Sequence, residues 1–334
     1  MRGRVGAAVL IAGVITGCAR GPAMARPTAA PMEREIVVPT PAMPLPGTFT
    51  APAGAGRFPV VVIVHGSGAG DRNLTIGPNA PYRDLAHGLA ARGIASLRYD
   101  KRTKVAPFWF MNKTFTVRDE TIDDALAALG VARAQPEVDT MRTVLIGHSL
   151  GGMLAPRIAQ ADQHLSGIVI MAGATEIRLT DQLVRQIEHM ASIPGADTAM
   201  LRKQQRLVAP MIERIRKLTP ADSGSLFLHM GAPARYWLDL AAYSSASALR
   251  AMTIPALVMQ GGRDYQVTTQ QLDQWLIALG RRANVTVKRY PTLNHLFMAG
   301  TGPGNPAEYG VPGRVDAQAL DDIAVWIRAL PPRR

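Results

Sequence analysis

Apolar and polar positions along this chain alternate between two rhythms. Continuous apolar runs, rich in β-branched residues, recur at 59–64, 94–99, 143–146, 168–171, 256–259 and 285–290. A run without polar alternation suits a strand covered on both faces. Between most of them the spacing turns helical: Leu85, Ala86 and Leu89 in 82–91, Ile122, Leu126 and Leu129 in 117–134, Leu272, Trp275, Leu276 and Leu279 in 269–279, and Leu320, Ile323, Ile327 and Leu330 in 316–330. Segments 34–38 and 47–51 read as two short strands of a first hairpin. Strands alternating with helices predict an α/β domain over 34–334, with right-handed crossovers and a mostly parallel sheet.

One interval breaks the rhythm. Between Ala174 and Thr253 no good strand is expected. Leu179, Leu183, Ile187 and Met190 mark one amphipathic helix, and Leu201, Val208, Met211, Ile215 and Leu218 a second, with Arg202, Arg206, Arg214 and Lys217 off that stripe. An insertion leaving the sheet at a strand's C-terminal end, where α/β proteins bind ligands, predicts a helical lid over about 175–252.

The strongest chemical signal is Leu145-Ile146-Gly147-His148-Ser149-Leu150-Gly151-Gly152, between the 143–146 strand and a helix over 153–161. This is the G-x-S-x-G pattern, which holds a serine clear of the backbone on a sharp strand-to-helix turn. A hydroxyl becomes a nucleophile when a base takes its proton. Of the seven histidines, His295 follows the last strand and can reach such a serine. His148 is adjacent to Ser149 and its side chain is expected to point elsewhere. His65 suits an oxyanion loop, and His87, His164, His189 and His229 fall on helical or lid segments. The base needs an acid. Asp264, in Gln260-Gly261-Gly262-Arg263-Asp264 after the fifth strand, is the candidate, with Glu176 as the alternative and helix capping as its structural role. Leu150 N–H, at a helix N-terminus, offers one oxyanion donor. The glycine-rich segment 65–71 offers the second at Ser67 N–H, or else at Gly68. That segment lacks G-x-x-x-x-G-K-[ST] and misses G-x-G-x-x-G, which argues against phosphate binding. No cysteine/histidine cluster points to a metal, and no cofactor is expected.

Charge and the N-terminus add localisation. Met1-Arg2-Gly3-Arg4 followed by the apolar run 5–15, too short to span a bilayer, reads as a secretory signal over 1–17. Ile15-Thr16-Gly17-Cys18 resembles a bacterial lipobox. Ala23-Met24-Ala25 is the competing cleavage site. The single cysteine stands where a lipobox needs one, which favours lipidation at Cys18 and a membrane anchor, followed by a Pro/Ala-rich tether over 18–33. Ala19 after that cysteine fits the periplasmic side of an outer membrane. The formal charge is +12, and loss of Arg2 and Arg4 leaves +10. The basic residues are scattered and no nucleic-acid-reading motif occurs, so no nucleic-acid partner is expected.

With those residues in view, the chain resembles the α/β-hydrolase superfamily. His65-Gly66-Ser67-Gly68, Asp71-Arg72-Asn73, Gly77-Pro78-Asn79, Pro81-Tyr82-Arg83-Asp84-Leu85-Ala86, Arg98-Tyr99-Asp100-Lys101-Arg102 and Tyr236-Trp237-Leu238-Asp239-Leu240 look like bacterial esterases of the dienelactone-hydrolase-like and serine-aminopeptidase-like group. The resemblance covers about residues 45–330 and implies an α/β-hydrolase fold and a small-molecule ester substrate. The order Ser149, Asp264, His295 is that architecture's order. Some relatives carry an extra N-terminal domain where this chain has a tether. Others place cysteine at the elbow, and serine here favours ordinary acyl esters. An amidase or peptidase is the rival enzyme, and a binding protein on a hydrolase scaffold the non-enzymatic one. Asp100, Lys101 and Arg102 are expected to brace the oxyanion loop through Asp71 and Arg72. Phe108, Trp109, Phe110 and Trp237 are either acyl-pocket walls or core.

Overall fold

The computed structural model describes residues 30–176 and 179–333. The expected signal segment, Cys18 and most of the tether lie outside the described residues. The strands are β1 (Met32–Val38), β2 (Leu45–Ala51), β3 (Phe58–Val64), β4 (Ala95–Tyr99), β5 (Val138–His148), β6 (Gly167–Met171), β7 (Leu228–His229), β8 (Ala232–Pro233), β9 (Ala256–Gly261) and β10 (Val285–Tyr290). The α-helices are α1 (Pro81–Ala90), α2 (Arg102–Val105), α3 (Asp123–Arg133), α4 (Leu150–Ala161), α5 (Leu179–Ser192), α6 (Thr198–Arg216), α7 (Ala234–Ala241), α8 (Ser245–Arg250), α9 (Thr269–Leu279) and α10 (Ala317–Ala329).

Among the described residues, eight strands form one sheet in the order β1-β2-β4-β3-β5-β6-β9-β10. The β1–β2 and β2–β4 pairs are antiparallel and the rest parallel, as the alternation of strands and helices predicted. Side chains of β3 alternate between two cores. Val60, Val62 and Val64 face α3, α4, α8 and α9 through Leu129, Met153, Ile158, Leu249 and Trp275, while Val61 and Ile63 face α1 and α10 through Leu85, Leu89, Ile323 and Ile327. Both faces are thus covered, which is why the central strands carry no polar alternation.

Three expectations need correction. Met32 and Glu33 belong to β1 rather than to a tether ending at 33, because Glu33 pairs with Thr50 and its carboxylate takes Arg98 Nη2 at 2.7 Å. The helix expected over 117–134 opens with a π turn, Arg118–Ile122, before α3. The insertion after β6 is helical as expected but holds the two-residue strands β7 and β8, too short to leave a periodic signal.

Residues of that insertion contact loops that follow β4, β9 and β10, and helix α4. From α5, Gln186 donates to Gln266 O at 3.1 Å and His189 meets Gly304 O at 2.8 Å. From α7, Asp239 takes a bidentate bond from Arg157 of α4, and Tyr236 Oη donates to Glu120 at 3.0 Å.

Candidate active site

Ser149 sits between β5 and α4 with φ 55° and ψ −118°. A non-glycine residue there costs about 1–3 kcal/mol and persists only where its surroundings enforce it. They do: Ser149 N–H donates to Met171 O at 2.9 Å, and Ser149 O accepts Met153 N–H at 3.0 Å. The elbow also closes too tightly for side chains on either side. A Cβ on Gly147 would overlap the Gly151 carbonyl, and one on Gly151 would stand 2.5 Å from Val64 O. Leu150 N–H opens α4, with the helix dipole behind it. Gly66 lies alongside: a Cβ there would come within 3.0 Å of the Ser149 Cβ.

His295 and Asp264 meet at the same edge. Nδ1 of His295 is 2.7 Å from Asp264 Oδ2. The same carboxylate oxygen accepts Gln260 Nε2 at 3.0 Å, and Oδ1 accepts the N–H groups of Gln266 and Val267, both at 2.8 Å. With its lone pairs fixed, Asp264 holds one imidazole orientation. Asp264 does not cap α9, whose N-cap is Thr268. The two loops share a further anchor, Glu308, which accepts from Nη1 and Nη2 of Arg263, at 3.0 and 2.5 Å, and from Asn294 Nδ2 at 3.1 Å. Asn294 Oδ1 in turn accepts the N–H groups of Leu296 and Met298.

His148 does point away from the hydroxyl, but into a bridge. Its Nε2 is 2.9 Å from His295 O and its Nδ1 is 3.1 Å from Tyr82 Oη, which accepts Gly66 N–H at 3.3 Å. Burial, reinforced by the charge of His295, pushes its pKa down to about 3. A neutral His148 therefore donates from Nε2 and accepts at Nδ1, so Tyr82 donates to it. The chain Gly66–Tyr82–His148–His295 joins the loop after β3, α1, the turn at Ser149 and the loop that carries His295. Among the described residues' hydrogen bonds the His295–Asp264 link is closed and a Ser149–His295 link is not made. Such bonds often tighten only with substrate bound.

The loop after β3 is held from below. His65 Nε2 lies 2.5 Å from Tyr99 O, and burial lowers its pKa to about 4. Lys101 Nζ donates to Gly66 O at 2.9 Å and pairs with Glu120 at 2.8 Å. Arg102 pairs with Asp124, and Thr103 Oγ1 donates to Gly68 O at 3.1 Å. Arg72 grips Asp100 through Nε and Nη2, both at 3.1 Å. The expected brace is thus present, with one change: Asp71 takes no cation but folds its own turn, accepting Asn73 and Thr75 N–H groups at 3.0 and 2.9 Å. Ser67 and Gly68 are exposed on this loop.

Residues 58–301 match the family model described as serine aminopeptidase, S33. The chain belongs to that family. It is 40% identical over 287 residues to esterase EstD of Thermotoga maritima, covering 85% of this chain but 65% of that enzyme, so it spans a little under two thirds of the relative's length. Among solved structures, an esterase of Pyrococcus furiosus superposes with TM-score 0.56 at 16% identity over 90% of this chain and 91% of that one. The acylaminoacyl peptidase of Pyrococcus horikoshii superposes at 0.56 with 13% identity over 91% and 42%. At such identities the structures show the α/β-hydrolase fold.

In this S33-family protein, Glu176 lies at the start of the insertion, bridged to Ser244, while Asp264 holds the contact to His295. The aromatic candidates divide. Phe110 and Trp237 are buried, Trp109 is half-buried, and Phe108 is 78% exposed. Sequence reasoning missed Tyr82, Asn294, Glu308 and the bridging role of His148. Asn294 carried a signal, an Asn in a turn beside the histidine. Tyr82 and Glu308 carried none, since their partners are far away in the chain.

Proposed function

We propose that this protein is a serine hydrolase that cleaves carboxylic esters through an acyl-enzyme. One observation carries the reading: an acid–histidine pair closed at 2.7 Å, docked against the residue that precedes a serine held at positive φ. The 40% identity to an enzyme named an esterase supports it.

Ser149 Oγ attacks the acyl carbon as His295 Nε2 takes the hydroxyl proton. The carbonyl oxygen gains the negative charge and is held by Leu150 N–H and Ser67 N–H, with Gly68 N–H as the alternative to the latter. Collapse breaks the bond to the alcohol, which His295 protonates as it leaves. A water then gives its proton to His295 and its oxygen to the acyl carbon, releasing the acid and restoring Ser149. Asp264 keeps the Nδ1–H tautomer and stabilises the imidazolium. The helical insertion over about 175–252 acts as a lid that keeps bulk water from the acyl-enzyme.

Export by the 1–17 signal and lipidation at Cys18, or cleavage after Ala25, places this activity in the bacterial envelope. Hydrolysis of amides or peptides is the second reading, favoured by the family's description. The excess of basic residues in the insertion weighs against holding a substrate's free amine. A matched panel of p-nitrophenyl esters and p-nitroanilides tests the assignment. Ester turnover well above anilide turnover, abolished by a fluorophosphonate on Ser149, is expected. Anilide preference overturns it in favour of the second reading, and no labelling of Ser149 sinks both. Mass spectrometry of the mature N-terminus distinguishes a lipidated Cys18 from an end after Ala25.

A further inference from the structure

The rim of the sheet that carries Ser149 also carries an unusual surface. On α6, the inward face is Leu201, Val208, Ile212 and Ile215, which the packing explains. A second apolar stripe faces outward, with Met200 68% and Leu207 66% exposed and Met211 beside them. At 100° per residue, Lys203, Arg206, Arg214 and Lys217 lie on the arc directly next to that stripe. Glu213 is the only acid of α6 and is paired with Arg216.

Two other segments carry exposed apolar side chains, joined to α6 beneath the surface. Arg214 stands over the Phe227 ring at 6.0 Å, and Phe227 packs edge-on against His229 at 4.9 Å. His229 O accepts the Trp237 indole N–H at 2.7 Å. Ring contacts then run Trp237–Tyr236–Phe115–Phe110–Trp109. Next to Trp109 is Phe108, and Lys113 Nζ sits 3.9 Å over the Trp109 ring. The linking rings of Trp237, Tyr236, Phe115 and Phe110 are buried, while Leu226 and Phe227 at one end and Phe108 and Met111 at the other are each more than half exposed. Both segments leave the C-terminal edge of the sheet, after β4 and after β6.

Large exposed apolar side chains beside cations fit one kind of occupant. A headgroup layer accepts both at a depth of about 5–10 Å, as interfacial amphipathic helices show. A protein groove would select a contiguous apolar ridge instead. The charge sign selects anionic lipid. We propose that the outward face of α6, the segment 226–230 and the segment 108–111 together form a docking surface for an anionic bilayer, independent of any N-terminal anchor. Docked this way, the candidate active site opens toward the membrane, and its substrates are esters that partition into lipid. That last clause rests on the esterase reading, whereas the docking does not.

The test uses the full chain with Cys18→Ser, which leaves one engineered cysteine for an environment-sensitive fluorophore. Labels are placed by Phe227→Cys on the proposed face and by Val325→Cys on α10, on the far side. Vesicles of phosphatidylglycerol and phosphatidylcholine at 3:7 should blue-shift the label at 227 and leave that at 325 unchanged. Pure phosphatidylcholine, or 1 M salt, should weaken the response about tenfold or more. Lys203→Gln/Arg206→Gln/Lys217→Gln should do the same while hydrolysing soluble p-nitrophenyl acetate at the parent rate. Equal responses at both labels, no response at 227, or vesicle binding unaffected by the triple substitution overturns the docking surface. Loss of p-nitrophenyl acetate turnover in the Cys18→Ser parent would count against the esterase reading instead.

Discussion

Replacing Lys101 with Met separates what the buried ion pair does for stability from what it does for the loop after β3, the proposed source of an oxyanion donor. Lys101 is 1% exposed and its ammonium has two partners, Glu120 at 2.8 Å and Gly66 O at 2.9 Å. Methionine fills the stem but leaves the Glu120 carboxylate buried with only Tyr236 Oη as donor. Stranding one member of a buried pair costs about 3–5 kcal/mol. Because the Gly66 carbonyl loses its donor as well, we expect a loss of about 4–5 kcal/mol, within the 5–15 kcal/mol of a typical domain. Lys101→Met/Glu120→Gln removes the stranded charge while Tyr236 still donates to the amide, so stability should return to within about 2 kcal/mol of the parent. The brace on Gly66 stays absent in both. A displaced oxyanion donor costs less than a deleted one, which is worth about 10²–10³-fold, so kcat should fall about tenfold in both variants, with affinity for a trifluoromethyl ketone falling in parallel. Urea unfolding and p-nitrophenyl ester kinetics read the two effects. If the double substitution restores kcat in step with stability, Lys101 is structural only and the reasoning about the loop is wrong.

Ser149→Ala should retain its melting temperature and lose at least about 10³-fold in kcat on esters; residual turnover near the parent rate would falsify the nucleophile assignment. Gly147→Ala should destabilise by at least about 2 kcal/mol, because a Cβ there collides with the Gly151 carbonyl, a backbone atom that cannot rotate away; an unchanged urea midpoint would contradict the close approach. His148 and His65 are held neutral, their pKa values lowered from 6.5 to about 3 and about 4. Since the unfolded chain binds their protons first, their contribution is complete above pH 6.5 and is lost as pH falls toward 4 for His65 and toward 3 for His148, at up to about 1.4 kcal/mol per unit each. Unfolding free energies from urea titrations at pH 7.5 and 5 should differ by about 4 kcal/mol, and a flat profile across that range refutes the neutral assignment. Glu33, held at about 2, adds its loss only below its ordinary 4.5.

Most of the sheet was legible because β3, β6 and β9 are buried on both faces and therefore spell continuous apolar runs. The elbow was legible because Gly147 and Gly151 are demanded by backbone crowding within five residues. Asp264 and His295 could be read from their places after strands, since a parallel sheet delivers every such loop to one edge. What stayed hidden depends on distance in the chain. Tyr82 reaches His148 across 66 positions, and Glu120 reaches Tyr236 across 116, so neither leaves a local periodicity. The π turn at Arg118–Ile122 was read as ordinary helix because one extra residue in a turn barely shifts an apolar stripe. The outward apolar stripe of α6 was half-read: Met211 was placed on the inward face, where the packed residue is Ile212.

Glu308 lies further along the β10–α10 connection that also carries His295, and it is tied to Arg263 beside Asp264 and to Asn294 beside His295. The spacing between carboxylate and imidazole is therefore dictated by a third party, as a pin through two straps sets the gap between them. Shifts of the overlying helices can come and go without prising the couple apart. The serine, fastened separately by the backbone of β6, is the member whose distance from that couple can change.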